Sequence, residues 1–262
     1  MAMNNRLLRP RASGYTASDA DARAYIAAVE SADKQKLEKA VAVAINDFVV
    51  GCKTDGIWSA IKASCILMGA RTLSGALTPL AGSAPTNVNF VSGDYNRKTG
   101  LVGDGSTKYL NSGRNANADP TASFHLAVYA SSAQSNATDR SYIGSQTTDA
   151  ITTNSTVTTL SHRNRGTLLG FGAHTSTGFI GHSRASATSM VARVAGSQST
   201  ADTMGSASTT PLFVFARSSS ASAPQQYSNG RLAFYSIGES LSLANLDTRV
   251  SALSTAIGAV IP

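Results

Sequence analysis

The sequence has 262 residues, of which 14% are charged, and 22 Lys and Arg against 15 Asp and Glu give a formal net charge of +7. A chain of this length corresponds to one or two domains. It contains no run of about 18 apolar residues, so an integral membrane protein is excluded. The first residues, MAMNNRLLRPRASG, lack the apolar core of a signal peptide, and we expect no signal-dependent secretion. The positive charge permits an anionic partner without identifying one.

The first 17 residues predict a basic N-terminal arm. A segment this short cannot fold alone, so it is either an arm that docks on a neighbouring subunit or a disordered terminus. As a docking arm, its assembly residues would be Arg6, Leu7, Leu8, Arg9 and Arg11.

Residues 18–70 predict a helical unit of three helices, over 20–31, 34–50 and 56–68. Ser18 before two aspartates is a typical helix start, and Gly51 is a typical stop. Apolar residues recur every three or four positions in the second helix, which gives it one buried face. In the third helix we expect the inward residues to be Ile57, Trp58, Ile61, Cys65 and Leu67.

Residues 71–99 predict an irregular connector, because Gly, Pro and Asn replace the helical pattern. It is too apolar for a free linker and should pack along a surface. From residue 100 the apolar period becomes two, which indicates strands. We predict strands at 100–102, 108–111, 123–131, 140–144, 151–153, 157–163, 167–173, 178–183, 189–195, 211–217 and 231–238.

The C-terminal segment returns to a helical pattern, with Ser242 as the N-cap and Gly258 as the stop. Many short strands separated by turns favour an antiparallel β-sandwich or jelly roll. We therefore predict a mainly β fold: a helical N-terminal unit, then a sandwich over 100–262 that is closed by the C-terminal helix.

The residues that most often carry chemistry form no recognisable motif, and we predict no catalytic residue, no cofactor and no metal site. The four histidines are not in metal-binding or triad spacing, and we expect His125 and His162 on an exposed face or between subunits. Cys52 and Cys65 are interpreted as two buried thiols. Loop aspartates could ligate Ca²⁺ but more often form turns; they are Asp94, Asp104 and Asp119.

Two kinds of macromolecular partner can be weighed from the sequence. Scattered positive charge without interleaved aromatic residues gives no support for nucleic-acid binding. A polysaccharide partner would need exposed aromatic rings for stacking, and the candidate glycan contacts are Tyr129, Tyr142 and Tyr227.

Four segments resemble a family of tailed-bacteriophage virion structural proteins that carry a laminin-G/concanavalin-A-like jelly-roll module. They are LLRPRASG, DGIWSAIKASCILMGA, RTLSGALTPLAGSAPTNVNFVSGDYNRKTGLVGDGSTKYLNSG and RLAFYSIGESLSLANLDTRVSALSTAIG. The middle of the chain, about 131–210, matches only in its strand rhythm. The resemblance implies a sandwich displayed on the particle, without known catalysis, and no binding residue can be carried over.

The sequence and this resemblance together predict a non-enzymatic virion structural protein, made in the host cytoplasm, that decorates the capsid or forms a short tail appendage. Its expected partners are other virion proteins and copies of itself, with a homotrimer preferred because capsids and fibres are symmetric. One alternative is a tail-fibre receptor-binding protein that recognises host-surface polysaccharide. The other is a polysaccharide-degrading enzyme on a jelly-roll fold.

Overall fold

The computed structural model of the protein describes residues 15–201 and 203–262. The predicted arm residues Arg6, Leu7, Leu8, Arg9 and Arg11 lie outside these ranges. Among the described residues, none of the helices combines the length and the apolar character needed to span a membrane.

The described helices are α1 (Ala20–Asp33), α2 (Lys39–Thr54), α3 (Leu73–Ala76) and α4 (Leu243–Val260). Short 3-10 turns lie at Trp58–Ala60, Ser92–Asp94 and Ala116–Ala118. The strands are β1 (Ile61–Ile66), β2 (Thr86–Val88), β3 (Tyr95–Asn96), β4 (Gly100–Val102), β5 (Tyr109–Asn115), β6 (Phe124–Ser132), β7 (Arg140–Ser145), β8 (Asp149–Thr153), β9 (Thr159–Asn164), β10 (Leu169–Ala173), β11 (Gly178–Ser186), β12 (Ser189–Val194), β13 (Ser197–Ala201), β14 (Pro211–Val214), β15 (Arg217–Ser218), β16 (Pro224–Gln225) and β17 (Arg231–Gly238).

The strands form two sheets that pack face to face. The eight-stranded sheet has the order β13-β12-β11-β6-β17-β4-β3, with β1 also paired to β17. The nine-stranded sheet has the order β10-β9-β8-β7-β14-β5-β2, with β15 and β16 at its side. The pairs are antiparallel except for β15 with β7. The predicted mainly β sandwich with N-terminal helices and one C-terminal helix is therefore confirmed.

The interior between the sheets is built by alternate residues of the strands, as a period of two requires. In β6, Phe124, Leu126 and Val128 face the other sheet, while His125 and Tyr129 face the opposite side, as the alternation in FHLAVYA predicts. The facing strand β9 contributes Leu160 to the same interior. The sandwich core is thus continuous from one sheet to the other.

The helices cover the outer face of the eight-stranded sheet only. A second apolar cluster joins residues of α1, α2 and α4 to the sheet residues Ile66, Ala127, Phe179 and Phe234. No buried member of this cluster comes from the nine-stranded sheet among the described residues. The protein therefore has three layers, and the outer face of the nine-stranded sheet lies on the side away from the helices.

The eleven strands predicted after residue 100 all correspond to strands of the structure. The helix predicted at 56–68 is wrong, because this stretch forms a 3-10 turn followed by β1, which pairs with β17. Ala63, Cys65 and Leu67 face the sandwich interior, whereas Ile66 faces the helices. A strand that is apolar on both faces has no period of two, so its pattern cannot be distinguished from that of a buried helix.

The connector predicted at 71–99 is not wholly irregular. It contains α3, and it supplies β2 to the nine-stranded sheet and β3 to the eight-stranded sheet. Both sheets therefore include strands from outside the range 100–262 that was predicted for the sandwich.

Several helix ends also differ from the prediction. Asp19, not Ser18, caps α1, because its carboxylate accepts from the backbone N–H of Asp21 and Ala22 at 2.9 and 3.2 Å. The helix α2 continues through Gly51 to Thr54, and the glycine leaves room for the side chain of Arg249 from α4: a Cβ there would lie 2.7 Å from it. Ser242 caps α4 as predicted, but the helix continues past Gly258 to Val260.

Removing a side chain between α4 and the sheet tests the helix layer. Leu246 is fully buried there, so we expect Leu246→Ala to lower the free energy of unfolding by about 2–5 kcal/mol through the lost contacts and the cavity. Urea unfolding of the purified protein measures this change. The control Thr248→Ala lies on the exposed side of the same helix and should shift stability by less than about 0.5 kcal/mol. Equal effects of the two changes would contradict this packing.

Candidate functional site

A polar groove lies on the outer face of the nine-stranded sheet. The strands β8 and β9 direct Ile151 and Leu160 into the core, so their neighbours Thr152 and Ser161, which are paired across the strands, face outward. A period of two therefore places polar side chains side by side on this face. The groove has a volume of about 160 Å³, and its polar lining includes Asp139, Thr152, Asn154, Ser161, Arg163 and Arg217.

The groove contains two arginines close to each other. The Nη1 of Arg217 donates to the carbonyl of Gln146 at 2.6 Å, while its buried Nε makes no hydrogen bond to the described residues. Burial, and next the charge of Arg163, lower the pKa of Arg217. Arg163 forms no ion pair with a carboxylate among the described residues. Two guanidinium groups against the one carboxylate of Asp139 therefore leave the described lining of the groove with a net positive charge.

One carboxylate lies in the same groove. This carboxylate belongs to Asp139, and its Oδ1 accepts hydrogen bonds from the backbone N–H and the hydroxyl of Ser155, at 2.9 and 3.1 Å. These bonds orient the carboxylate and leave Oδ2 available as an acceptor. The Oδ1 of Asn154 accepts from the backbone N–H of Thr156 at 2.8 Å, which fixes a second polar side chain. Fixed donors and acceptors of this kind can bind a polar ligand without reorganising.

The three tyrosines predicted as glycan contacts do not lie together. Tyr129 packs on the helix-facing side of the eight-stranded sheet. The prediction that Tyr142 is exposed is wrong, because the ring is fully buried in the sandwich core and its hydroxyl accepts from the N–H of Gln134 at 2.8 Å. Burial raises the pKa of Tyr142 to about 12. Only Tyr227, which is half-buried, belongs to the groove side of the molecule.

Tyr227 is part of an aromatic cluster that the sequence did not indicate. Its ring meets that of Tyr109 edge-on, with centroids 6.2 Å apart, and Tyr109 packs on Phe213 at 4.7 Å. Tyr109 and Phe213 face outward because their neighbours Leu110 and Leu212 belong to the sandwich core. Because β5 has a period of two, Tyr109 and Leu110 lie on opposite faces of the sheet. The rings that contact Tyr109 come from distant segments of the chain, and the sequence does not show which strands pair.

The expectation that His125 and His162 are on an exposed face or between subunits is wrong, because both rings are fully buried. The Nδ1 of His125 donates to the Glu239 carbonyl at 2.6 Å, and its Nε2 accepts from the Ser236 hydroxyl at 2.8 Å. His162 lies in the sandwich interior, where its ring packs edge-on against the ring of His182 with centroids 5.9 Å apart. Burial lowers the pKa of His125 and of His162 to about 4, so both are neutral at pH 7.

The sandwich interior also contains an ion pair that is shielded from solvent. Arg165 and Asp149 are fully buried 3.6 Å apart, and the guanidinium of Arg165 stacks 4.2 Å from the ring of Phe124. Arg165 also donates to the carbonyls of Ala116 and Pro120. These two bonds and the nearby carboxylate compensate part of the cost of burying the charge. The Nε of Arg165 has no hydrogen-bond partner among the described residues. A group enclosed in this way holds the interior together and cannot reach a dissolved ligand.

The described residues contain no group of three or more His, Cys, Asp or Glu arranged to hold a metal ion. The loop aspartates are engaged: Asp94 binds Lys108 at 2.6 Å, and Asp104 accepts from three backbone N–H groups that form a turn. Asp119 forms a two-bond ion pair with Arg114. Cys52 and Cys65 are buried free thiols, as predicted.

A larger depression of about 470 Å³ lies beside α1, where it is lined by Tyr25, Trp58 and Leu80. Its one charged residue is Asp21, which accepts from the indole N–H at 3.1 Å and pairs with Lys53 at 2.7 Å. Because this charge is already neutralised, the depression offers a ligand fewer polar contacts than the groove.

Comparisons with known proteins give distant similarities only. No protein-family model and no curated protein matches the sequence. Among solved structures, the botulinum neurotoxin serotype D binding domain aligns at 9% identity and a TM-score of 0.47, over 74% of this chain and 51% of the other. This chain thus spans about half the length of that structure.

Two further structures align at similar distance. Tailspike protein 2 of an Escherichia coli O157:H7 bacteriophage has 15% identity and a TM-score of 0.37, over 61% of this chain and 25% of that one. The second is domain 4 of AbnA, a GH43 extracellular arabinanase from Geobacillus stearothermophilus, in complex with arabinotriose. It has 10% identity and a TM-score of 0.38, over 64% of this chain and 82% of that one. Similarity at this distance carries no argument about function.

The buried histidines predict acid sensitivity. In the unfolded chain histidine titrates near 6.5, so the unfolded state binds protons that folded His125 and His162 bind only near pH 4. Stability is therefore lost as the pH falls below 6.5, by about 2 kcal/mol at pH 5 for each of these two rings. Protonation of Asp149 acts in the opposite direction. Burial raises the pKa of this carboxyl to about 6, so the folded state binds its proton more readily than the unfolded state, which offsets about 1 kcal/mol of the stability lost at pH 5.

Urea unfolding at pH 7 and pH 5 measures this loss. We expect His162→Gln to reduce the pH dependence, because an amide can still donate to the Phe171 carbonyl but does not titrate. His174→Gln, at a partly buried surface position, serves as the control substitution. Equal stability of the parent protein at both pH values would contradict the burial of these rings.

Proposed function

We propose that the protein is a non-enzymatic carbohydrate-binding display protein of a bacteriophage virion, and that the groove binds one unit of a surface polysaccharide. The observation that carries the proposal is the groove itself: hydroxyl, amide, carboxylate and guanidinium side chains, on a sheet face on the side away from the helices. This combination of donors and acceptors matches a ring with several hydroxyl groups.

The size of the groove favours part of a long ligand over a whole small molecule. At about 160 Å³ it is smaller than the roughly 300–1,000 Å³ of sites that enclose a drug-sized ligand. One sugar unit would lie in the groove while the rest of the chain extends over the sheet. Leu168, with 43% of its surface exposed, provides an apolar wall for the carbon face of such a unit.

The proposal assigns no catalysis to the groove. Glycoside hydrolysis usually needs two carboxyl groups on opposite sides of the scissile bond, and Asp139 is the one carboxylate among the described residues that line the groove. The candidate histidines His125 and His162 are fully buried and do not line the groove. A polysaccharide-degrading enzyme would shorten its polymer over time, so an assay of polymer length separates the two functions.

The virion assignment rests on the resemblance of the four segments quoted above. Within it, the polar face would point outward and assembly would use the N-terminal arm, in a homotrimer that decorates the capsid or a short tail appendage. Immuno-electron microscopy of intact particles tests this assignment, with labelling expected on capsid or tail. Absence of label from both, with the protein present in infected cells, would overturn it.

Filling the groove tests the binding function. Thr152 lines the groove and is half-buried, so we expect Thr152→Phe to occupy the space of a sugar unit and weaken polysaccharide binding at least 10-fold with little loss of stability. A glycan array followed by titration of the bound polymers gives the measurement. The matched control is Thr200→Phe, on an exposed position of β13 in the other sheet, which should bind like the parent. No binding of any glycan by the parent protein would refute the proposed function.

A further inference from the structure

We infer that the groove selects an acidic saccharide, a sugar unit whose carboxylate binds between Arg163 and Arg217. This inference rests on the proposed function and names the class of its ligand. It starts from an imbalance of charge: two guanidinium groups and one carboxylate line a groove of about 160 Å³.

The arginines are held beside each other at an electrostatic cost. The hydrogen bond from Arg217 to the Gln146 carbonyl tethers one guanidinium, and β9 directs Arg163 to the same face. Burial, and next the charge of Arg163, disfavour the charged form of Arg217 and lower its pKa, whereas the charge of Asp139 acts in the opposite direction. Binding of an anion between the two groups would relieve this repulsion, so a negatively charged ligand gains more than a neutral one.

The remaining donors of the pair are suited to a carboxylate. The Nε of Arg217 is buried without a hydrogen-bond partner among the described residues, and a buried donor left unpaired costs free energy. A guanidinium presents its N–H groups in a plane that matches the two oxygens of a carboxylate. The Nε atoms of Arg140 and Arg165 are likewise unpaired among the described residues, whereas the Nε of Arg184 donates to the Asn164 carbonyl at 2.8 Å.

Asp139 favours a sugar acid over a polyanion with closely spaced phosphates. Its carboxylate lies in the groove with Oδ2 free to accept from a hydroxyl, and its negative charge would repel a second anionic group. The hydroxyls of Thr152 and Ser161 offer further hydrogen bonds to a ring. A unit with one carboxylate and several hydroxyls satisfies all of these groups together.

The test uses the full-length protein and a panel of acidic bacterial capsular polysaccharides, each beside its carboxyl-reduced neutral form. We expect the acidic polymer to bind and its reduced form to bind at least 10-fold more weakly. Equal binding of both forms, or preference for a phosphate-containing polymer, would overturn the acidic-saccharide inference while leaving the carbohydrate-binding function intact. If the protein binds neither form of any polymer and no neutral glycan, that result would instead overturn the function on which the inference rests.

Variants assign the effect to the two arginines. Arg163→Gln should weaken binding of the acidic polymer by about 10- to 100-fold and leave the carboxyl-reduced form unaffected. Arg163→Lys should restore part of the affinity, because it keeps the charge but not the paired donors. The control Lys98→Gln removes the same charge from an exposed position and should have little effect. Arg217→Gln removes a structural hydrogen bond, so its binding result counts only if urea unfolding shows a folded protein. An equal loss of affinity in Lys98→Gln and Arg163→Gln would overturn the assignment.

Discussion

The central strand pair β6 and β17 is apolar on both faces, and the other layers follow from this constraint. One face of the pair supplies Leu126 and Tyr235 to the sandwich core, and the other presents Ala127 and Phe234. A sheet with two apolar faces must be covered twice to keep both from water. The nine-stranded sheet covers one face and the helices cover the other, which explains why sequence from both ends of the chain is needed to complete the fold.

The nine-stranded sheet, by contrast, has to bury only one face. Its outward positions are therefore free of the requirement for apolar residues, and β8 and β9 fill them with Thr152, Ser161 and Arg163. The place of the candidate site is thus a consequence of the layer order. A polar groove on the helix-covered sheet would need buried charges with partners, as the ion pair between Arg193 and Asp247 under α4 illustrates.

Sequence reasoning succeeded where one face of an element is polar and the other apolar. Strands such as β8 and β9 and the stripe of α4 have this property, and they were predicted. The strands β13 and β16, which also lie within residues 100–262, were not predicted. Sequence reasoning failed for β1, since both its faces are buried, and for β2 and β3, which are too short to show a period. The groove was not predicted because Asp139, Arg163 and Arg217 come from three separate segments, and a single sequence does not show which strands pair.

The same alternation decides whether a polar residue is structural or available for binding. In β9, His162 and Asn164 face the interior, where Asn164 donates to the Phe124 carbonyl at 3.1 Å, while Arg163 between them faces the groove. A shift of the strand by one residue would exchange these roles, placing an arginine in the core and a histidine outside. The interior hydrogen bonds of β9 and β11 oppose such a shift. The polar interior residues therefore contribute to the groove indirectly, by fixing the register that holds its arginine outward.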